Sequence, residues 1–296
     1  MVNKKALATF LIITFGLTIS AVIIAKSLGF TLVGIPALMS QMVIAMCMFF
    51  PAIGAIVTQK FILHKPLKEL GFKLGSWRMY LKVYGLIVFM FIINYTLTWI
   101  FGIKPDFTLN SFMNQFASIK PITLPLPASV MIVLFSGITF LAAPVFNMIP
   151  SLGEEIGWRG FLLPNLEPMG KMKAMVFSGM IWALWHTPMI LILGFTYGTQ
   201  AWPGAILHFI TVTGLGIWMG HIWFKTRSTI LAGFIHAVFN ANAYGIWAMI
   251  FVNNNKLMVG GAGLIGALLC LLLGVATIYK VQSNYIYQQS GQLEGR

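Results

Sequence analysis

The chain has 296 residues, of which 58% are hydrophobic and only 8% charged, and its formal net charge is +13. A soluble domain carries about 25% charged residues, so this composition excludes a water-covered globular domain. The apolar runs are continuous over about twenty residues, the length of a helical membrane span, and lack the alternation over about ten residues expected of a transmembrane barrel. The expected fold is an all-α polytopic membrane protein with about eight transmembrane helices around a membrane-embedded polar cavity.

Met1–Lys5 is basic, but no small-residue cleavage site precedes a soluble domain, so the first span is expected to stay as an anchor. Candidate spans fall at about 6–25, 31–59, 83–103, 128–150, 174–194, 203–223, 229–251 and 258–279. The second is too long for one straight crossing, and Pro36 and Pro51 are expected to trim or kink it. Pro144 and Pro150 are the expected breaks of the fourth. Residues 1–296 read as a single membrane domain. Within it, 1–127 holds the N-terminal spans, 128–251 the core helices and 282–296 a polar tail. The segment Lys104–Pro127 contains Pro105, Pro121, Pro125 and Pro127 and is expected to be irregular.

The nineteen Lys and Arg residues are unevenly placed. With the N-terminus inside, Lys26, Lys104, Lys120 and Lys256 fall on outer segments and the other fifteen on inner ones. The positive-inside rule then puts both termini in the cytoplasm, in what reads as a prokaryotic plasma membrane. The same clustering in short loops argues for topology signals and against a nucleic-acid partner. Lys60–Lys82, the longest basic loop, reads as an anchor against anionic lipid. Cys47 and Cys270 sit within apolar runs and read as small buried hydrophobes.

Chemistry concentrates in Ser151–Pro164, SLGEEIGWRGFLLP. Glu154 and Glu155 are two of only six acidic residues, and Arg159 follows Glu155 by four. Ionisable groups at membrane depth are costly and mark function. On a helix, i and i+4 share a face while adjacent residues point about 100° apart. Glu155 is therefore expected to pair with Arg159, leaving Glu154 as an unpaired carboxylate suited to general-base work. Downstream lie Trp182-x-x-x-His186 and His236-x-x-x-Asn240. A His–Asn pair on one face can donate two hydrogen bonds to one oxygen, as an oxyanion hole does. His208 and His221 read as interhelical hydrogen-bonding residues, and His64 carries no signal.

The strings EEIGWRGFLLP, WALWH and HAVFN, in that order, resemble the CPBP family, also called type II CAAX prenyl endopeptidase-like or ABI family proteins. The resemblance covers roughly 150–242, with Trp182 where Phe is commoner. It implies an intramembrane endopeptidase of about eight helices with a conical cavity open toward the cytosol and membrane. It implies Glu154 as the general base and His186 as a holder and activator of water. His236 and Asn240 would stabilise the tetrahedral oxyanion, and Glu155 and Arg159 would support the site. The implied substrate is a membrane-associated peptide or protein. The alternatives are a non-catalytic membrane scaffold or bacteriocin-immunity protein and, less favoured, a transporter. Two Glu and two His are donors that zinc accepts, but no HExxH is present and the donors come from three spans; no cofactor is expected.

Overall fold

The computed structural model describes residues 2–32, 38–115, 126–253 and 255–294, and among them it contains helices and turns but no strand. Asn3 starts α1 (Lys4–Ser27): its Oδ1 accepts from the Ala6 amide at 3.0 Å, satisfying an N–H that has no partner within the helix. The second span divides into α2 (Leu38–Cys47) and α3 (Phe50–Val57), and Pro51 stands in the first turn of α3. Pro36 lies outside the described residues. A 3₁₀ turn at Leu67–Leu70 leads to α4 (Trp77–Ile100).

The segment expected to be irregular contains a short helix at Asn110–Asn114. Asp106 organises the turn before it. Its Oδ1 accepts from the Thr108 amide at 2.9 Å, its Oδ2 from the Ser111 amide at 2.7 Å. The Thr108 hydroxyl and these amides hold the Asp106 carboxyl down at about 2. Lys120, Pro121 and Pro125 lie outside the described residues.

The fourth span is α5 (Ala128–Gly137), a π-helical turn at Ile138–Ala142 and a short helix at Ala143–Phe146. It then restarts at Asn147 as α6 (Met148–Glu155), followed by a second π-helical stretch at Ile156–Leu162. The break therefore falls at Asn147, and neither proline interrupts a helix. Pro144 and Pro150 both occupy first turns, and the Phe140 carbonyl that Pro144 cannot serve accepts from the Tyr84 hydroxyl at 2.7 Å.

The remaining helices are α7 (Lys171–Trp185), α8 (Thr187–Leu193), α9 (Ala201–Thr226), α10 (Thr229–Tyr244) and α11 (Leu264–Glu294). Seven helical stretches among the described residues are long and apolar enough to cross a membrane. The expected span 229–251 is shorter: α10 has 16 residues and ends at Gly245, before a separate helix at Ile246–Ile250. The expected polar tail is helical as far as Glu294, as a continuation of α11. The protein is an all-helical polytopic membrane protein.

Hydrogen bonds tie each end of the bundle. At one end the Thr229 amide donates to the Gly71 carbonyl at 2.8 Å and the Thr229 hydroxyl to the Leu70 carbonyl at 2.6 Å. Arg227 grips Glu167 with both Nη atoms, each at 2.8 Å. At the other end the Leu32 amide donates to Leu193, the Asp106 amide to Ile250, and the Tyr197 hydroxyl to Ala262.

Candidate active site

The acidic stretch carries glycines at 153, 157 and 160, and they decide which way it faces. A Cβ on Gly153 would lie 2.8 Å from the Met48 carbonyl oxygen, one on Gly157 2.4 Å from Pro51 Cβ, and one on Gly160 2.7 Å from the Leu70 carbonyl oxygen. No real side chain tolerates such distances. The glycine face therefore lies flush against the α2–α3 junction and the Leu67–Leu70 turn. The other face, bearing Glu154, Glu155, Trp158 and Arg159, turns into the bundle, and all four residues are buried.

Glu155 and Arg159 form the expected pair. Arg159 Nη1 lies 2.9 Å from Glu155 Oε1 and 2.8 Å from Oε2, with both side chains almost fully buried. Arg159 Nη2 also reaches the Gly216 carbonyl at 3.4 Å, and its guanidinium sits 4.2 Å over the Trp182 ring. Glu155 has a further partner that helix spacing did not reveal. His236 Nδ1 lies 3.0 Å from Glu155 Oε1, across 81 positions of sequence. A carboxylate only accepts, so Nδ1 carries the hydrogen and donates it.

Glu154 is held differently. Its Oε2 accepts from the Trp182 indole at 2.7 Å and from the Trp158 indole at 3.3 Å. The aromatic at 182 thus has a polar role, because phenylalanine has no N–H to give Glu154. The N-terminal spans back this arrangement. Phe10 of α1 meets the Trp158 ring edge-on at 5.7 Å, and Thr18 accepts from the Trp185 indole at 2.7 Å.

His186 lies at the joint between α7 and α8. Its amide closes an i→i−3 bond to Ala183 at 3.2 Å, which leaves the Trp182 carbonyl to the His186 side chain, whose Nδ1 lies 3.0 Å away. A carbonyl only accepts, so Nδ1–H donates and Nε2 is left with a lone pair.

Glu154, Trp182, His186, His236 and Asn240 all line one cavity of about 510 Å³. His236 and Asn240 share a face of α10, as their spacing predicted. His208 lines the cavity as well. Its ring centroid is 4.6 Å from that of His186, it is 6% exposed, and neither ring nitrogen has a hydrogen-bond partner among the described residues. Its reading as an interhelical hydrogen-bonding residue is thereby corrected. Only the tertiary packing of α9 against α7 brings it beside His186. His221 is not in the lining.

The cavity reaches Thr196, Asn253 and Lys256, in the loops that follow α8 and α10, and its lining includes no residue of the Lys60–Lys82 segment. Relative to the termini, Thr196, Asn253 and Lys256 stand at the end away from most basic residues. Among the described residues, no three His, Cys, Asp or Glu side chains converge as a metal ion requires.

Residues 128–242 match the family described as Type II CAAX prenyl endopeptidase Rce1-like. The match covers less than half of the chain, and that region is similar to the Rce1-like family. All the residues assembled above except the glycine contacts at Met48, Pro51 and Leu70, the α1 backing, and Asn253 and Lys256 of the cavity lining fall inside the Rce1-like region. Over 95 residues the chain is 32% identical to the CAAX prenyl protease 2 of Methanococcus maripaludis, across 30% of this chain. The match spans about a third (35%) of that relative's length.

Proposed function

We propose that the protein is a membrane-embedded endopeptidase that hydrolyses peptide bonds by attack of a water activated by Glu154. The observation that carries this reading is the asymmetric holding of the Glu154 carboxylate. Both indole donors fall on Oε2, within a cavity that His186, His236 and Asn240 also line. In the proposed reaction Oε1 takes a proton from water, while His186 Nε2 accepts the second water hydrogen and fixes its orientation. The water oxygen bonds to the carbonyl carbon, and the carbonyl electron pair moves to oxygen. His236 Nε2 and the Asn240 amide donate to that oxyanion. The intermediate then collapses, the C–N bond breaks, and the proton passes from Glu154 to the departing amine. Donation by His236 Nε2 requires the ring to carry a hydrogen on both nitrogens. The Rce1-like region and the relative's name as a prenyl protease support a peptide substrate at a membrane.

A second reading rests on the Glu155–His236 contact. With Nδ1–H committed to Glu155, a neutral His236 presents Nε2 as a base oriented by a carboxylate, the arrangement of an acid–base dyad. Glu154→Gln separates the two. The measurement is cleavage of a co-expressed single-span peptide, with a melting curve in the same detergent. Under the first reading the variant melts normally and turnover falls about 10²–10⁴-fold, the usual worth of a positioned base. Retained turnover refutes Glu154 as the base. The proposed chemistry uses no metal ion, so added chelator is expected to leave turnover unchanged.

A further inference from the structure

The stripe that carries His236 and Asn240 does not end with them. Tyr244 follows Asn240 by four, so His236, Asn240 and Tyr244 stand at i, i+4 and i+8 along α10, and all three line the cavity. Tyr244 is the last residue of the helix, and the chain is pinned just beyond it. The Ile246 amide donates to the Thr139 hydroxyl at 2.8 Å, and a Cβ on Gly245 would stand 2.4 Å from that oxygen. Tyr244 itself is 56% exposed, so its ring is not packed away as core.

Its hydroxyl lies 3.2 Å from that of Thr196, across 48 positions of sequence. Thr196 has a φ of +67°, in the left-handed region that a β-branched residue enters only at a cost. Such strain persists only where the surroundings impose it. Here Tyr197 and Gln200 lock the loop: the Tyr197 hydroxyl donates to the Ala262 carbonyl at 2.7 Å, and Gln200 Nε2 donates to Asn255 Oδ1 at 3.0 Å. A hydroxyl donates one hydrogen and accepts on two lone pairs. When Thr196 donates to the Tyr244 oxygen, the phenolic hydrogen is left for a ligand in the cavity.

Helix spacing supplies a register. From Asn240 to Tyr244 the helix rises about 6 Å. In an extended peptide, carbonyls two residues apart point the same way and lie about 6.6 Å from each other. A peptide lying along α10 with its scissile carbonyl at Asn240 therefore brings a second carbonyl to the level of Tyr244. We infer that Tyr244 is a substrate-binding residue whose hydroxyl donates to the backbone carbonyl two residues from the scissile one, and that Thr196 is the positioning residue that holds the phenol there. The inference rests on the endopeptidase reading, because His236 and Asn240 set the register. It gives the cavity a subsite that reads the main chain of an extended segment whatever side chain stands there.

The test uses a synthetic peptide with the cleavable segment of the single-span reporter, and measures turnover and KM separately in detergent. Tyr244→Phe keeps the ring and is expected to raise KM about 3- to 10-fold, the worth of one neutral hydrogen bond, with turnover and melting little changed. Thr196→Val is expected to raise KM by a smaller factor, and Thr196→Ser to behave as the parent. Two further peptides carry a methylene in place of a carbonyl, two residues before or two residues after the scissile one. With the parent chain, one of them should show the same rise in KM; with Tyr244→Phe it should show no additional rise, because the same bond is lost only once. An unchanged KM in Tyr244→Phe, or losses that multiply for both peptides, overturns the inference, while Glu154-dependent cleavage leaves the endopeptidase reading standing. Failure of the parent chain to cleave the unmodified peptide refutes that reading and the inference with it.

Discussion

The two ends of this bundle are built from different materials. The basic end is closed: a bidentate Arg227–Glu167 pair, hydroxyl caps from Ser228 and Thr229, and glycines in backbone contact leave no passage. The cavity lies between the helices beyond it, and its polar groups include histidines and an amide with capacity to spare. Among the described residues, His208 has two unpaired ring nitrogens, and His186 and His236 have each committed only Nδ1. The difference teaches where satisfied polar groups serve and where unsatisfied ones do. A satisfied buried pair fixes geometry, whereas an unpaired group in a cavity is available to a ligand. The Glu154–Glu155 dipeptide sits at the boundary, with one carboxylate on each side of this division.

The comparison breaks most severely at Glu155. Alanine there leaves the Arg159 guanidinium buried without its partner and frees His236. The expected loss of stability is about 3–5 kcal/mol. A melting curve checks this, and an unchanged curve would show that the pair is not what closes the bundle beneath the cavity.

The next effect lies on the cavity side. Asn240→Ala removes an amide from the cavity lining. Stability should hardly change, while the barrier should rise by about 2.7–4 kcal/mol if the amide meets the oxyanion. Turnover measured apart from substrate affinity decides it. A change in KM alone would place Asn240 in substrate binding.

Trp182→Phe probes the boundary itself. The ring over Arg159 is kept, but the 2.7 Å donor to Glu154 is lost. Hydrogen bonds to charged groups are worth about 1.5–3 kcal/mol, so turnover should fall about 10- to 100-fold with a smaller change in melting. Equal losses in Trp182→Phe and Trp182→Leu would show that packing rather than the N–H is what matters.

The smallest effect is expected at the basic end. Arg227 holds the Glu167 carboxyl below its usual value. A depressed carboxylate stabilises the fold above its unfolded value, near pH 4.5, and loses that contribution as pH falls through the folded value. The pair is partly exposed, so Glu167→Gln should cost less than about 1 kcal/mol at neutral pH. Melting of the two proteins should converge as pH falls below 4.5 and through the folded value, where the carboxylate protonates.

Much of this was legible from spacing. Glu155 and Arg159 are one helical turn apart, and so are His236 and Asn240. Each pair therefore shares a face, although the acidic stretch is partly π-helical. Composition alone required a helical membrane bundle. The helix breaks were harder to place, because Pro144 and Pro150 look disruptive in sequence yet sit in first turns where their missing N–H costs little. The glycines of the GEEIGWRG stretch carried a signal in their i, i+4 spacing, which marks a face able to approach another backbone.

The sequence by itself determined the class of structure, the uneven distribution of basic residues and the local pairs, because these depend on hydrophobic length, charge and helical period. Tertiary structure alone decided which residues meet across the bundle. Glu155 meets His236, Trp182 donates to Glu154, and His208 stands beside His186, each through contact between helices far apart in the chain. The reason is that helical periodicity specifies a face of one helix but not the helix opposite it. That choice is made by close packing, here through glycines such as Gly216 against Gly179, where a Cβ would come within 2.9 Å of the neighbouring backbone.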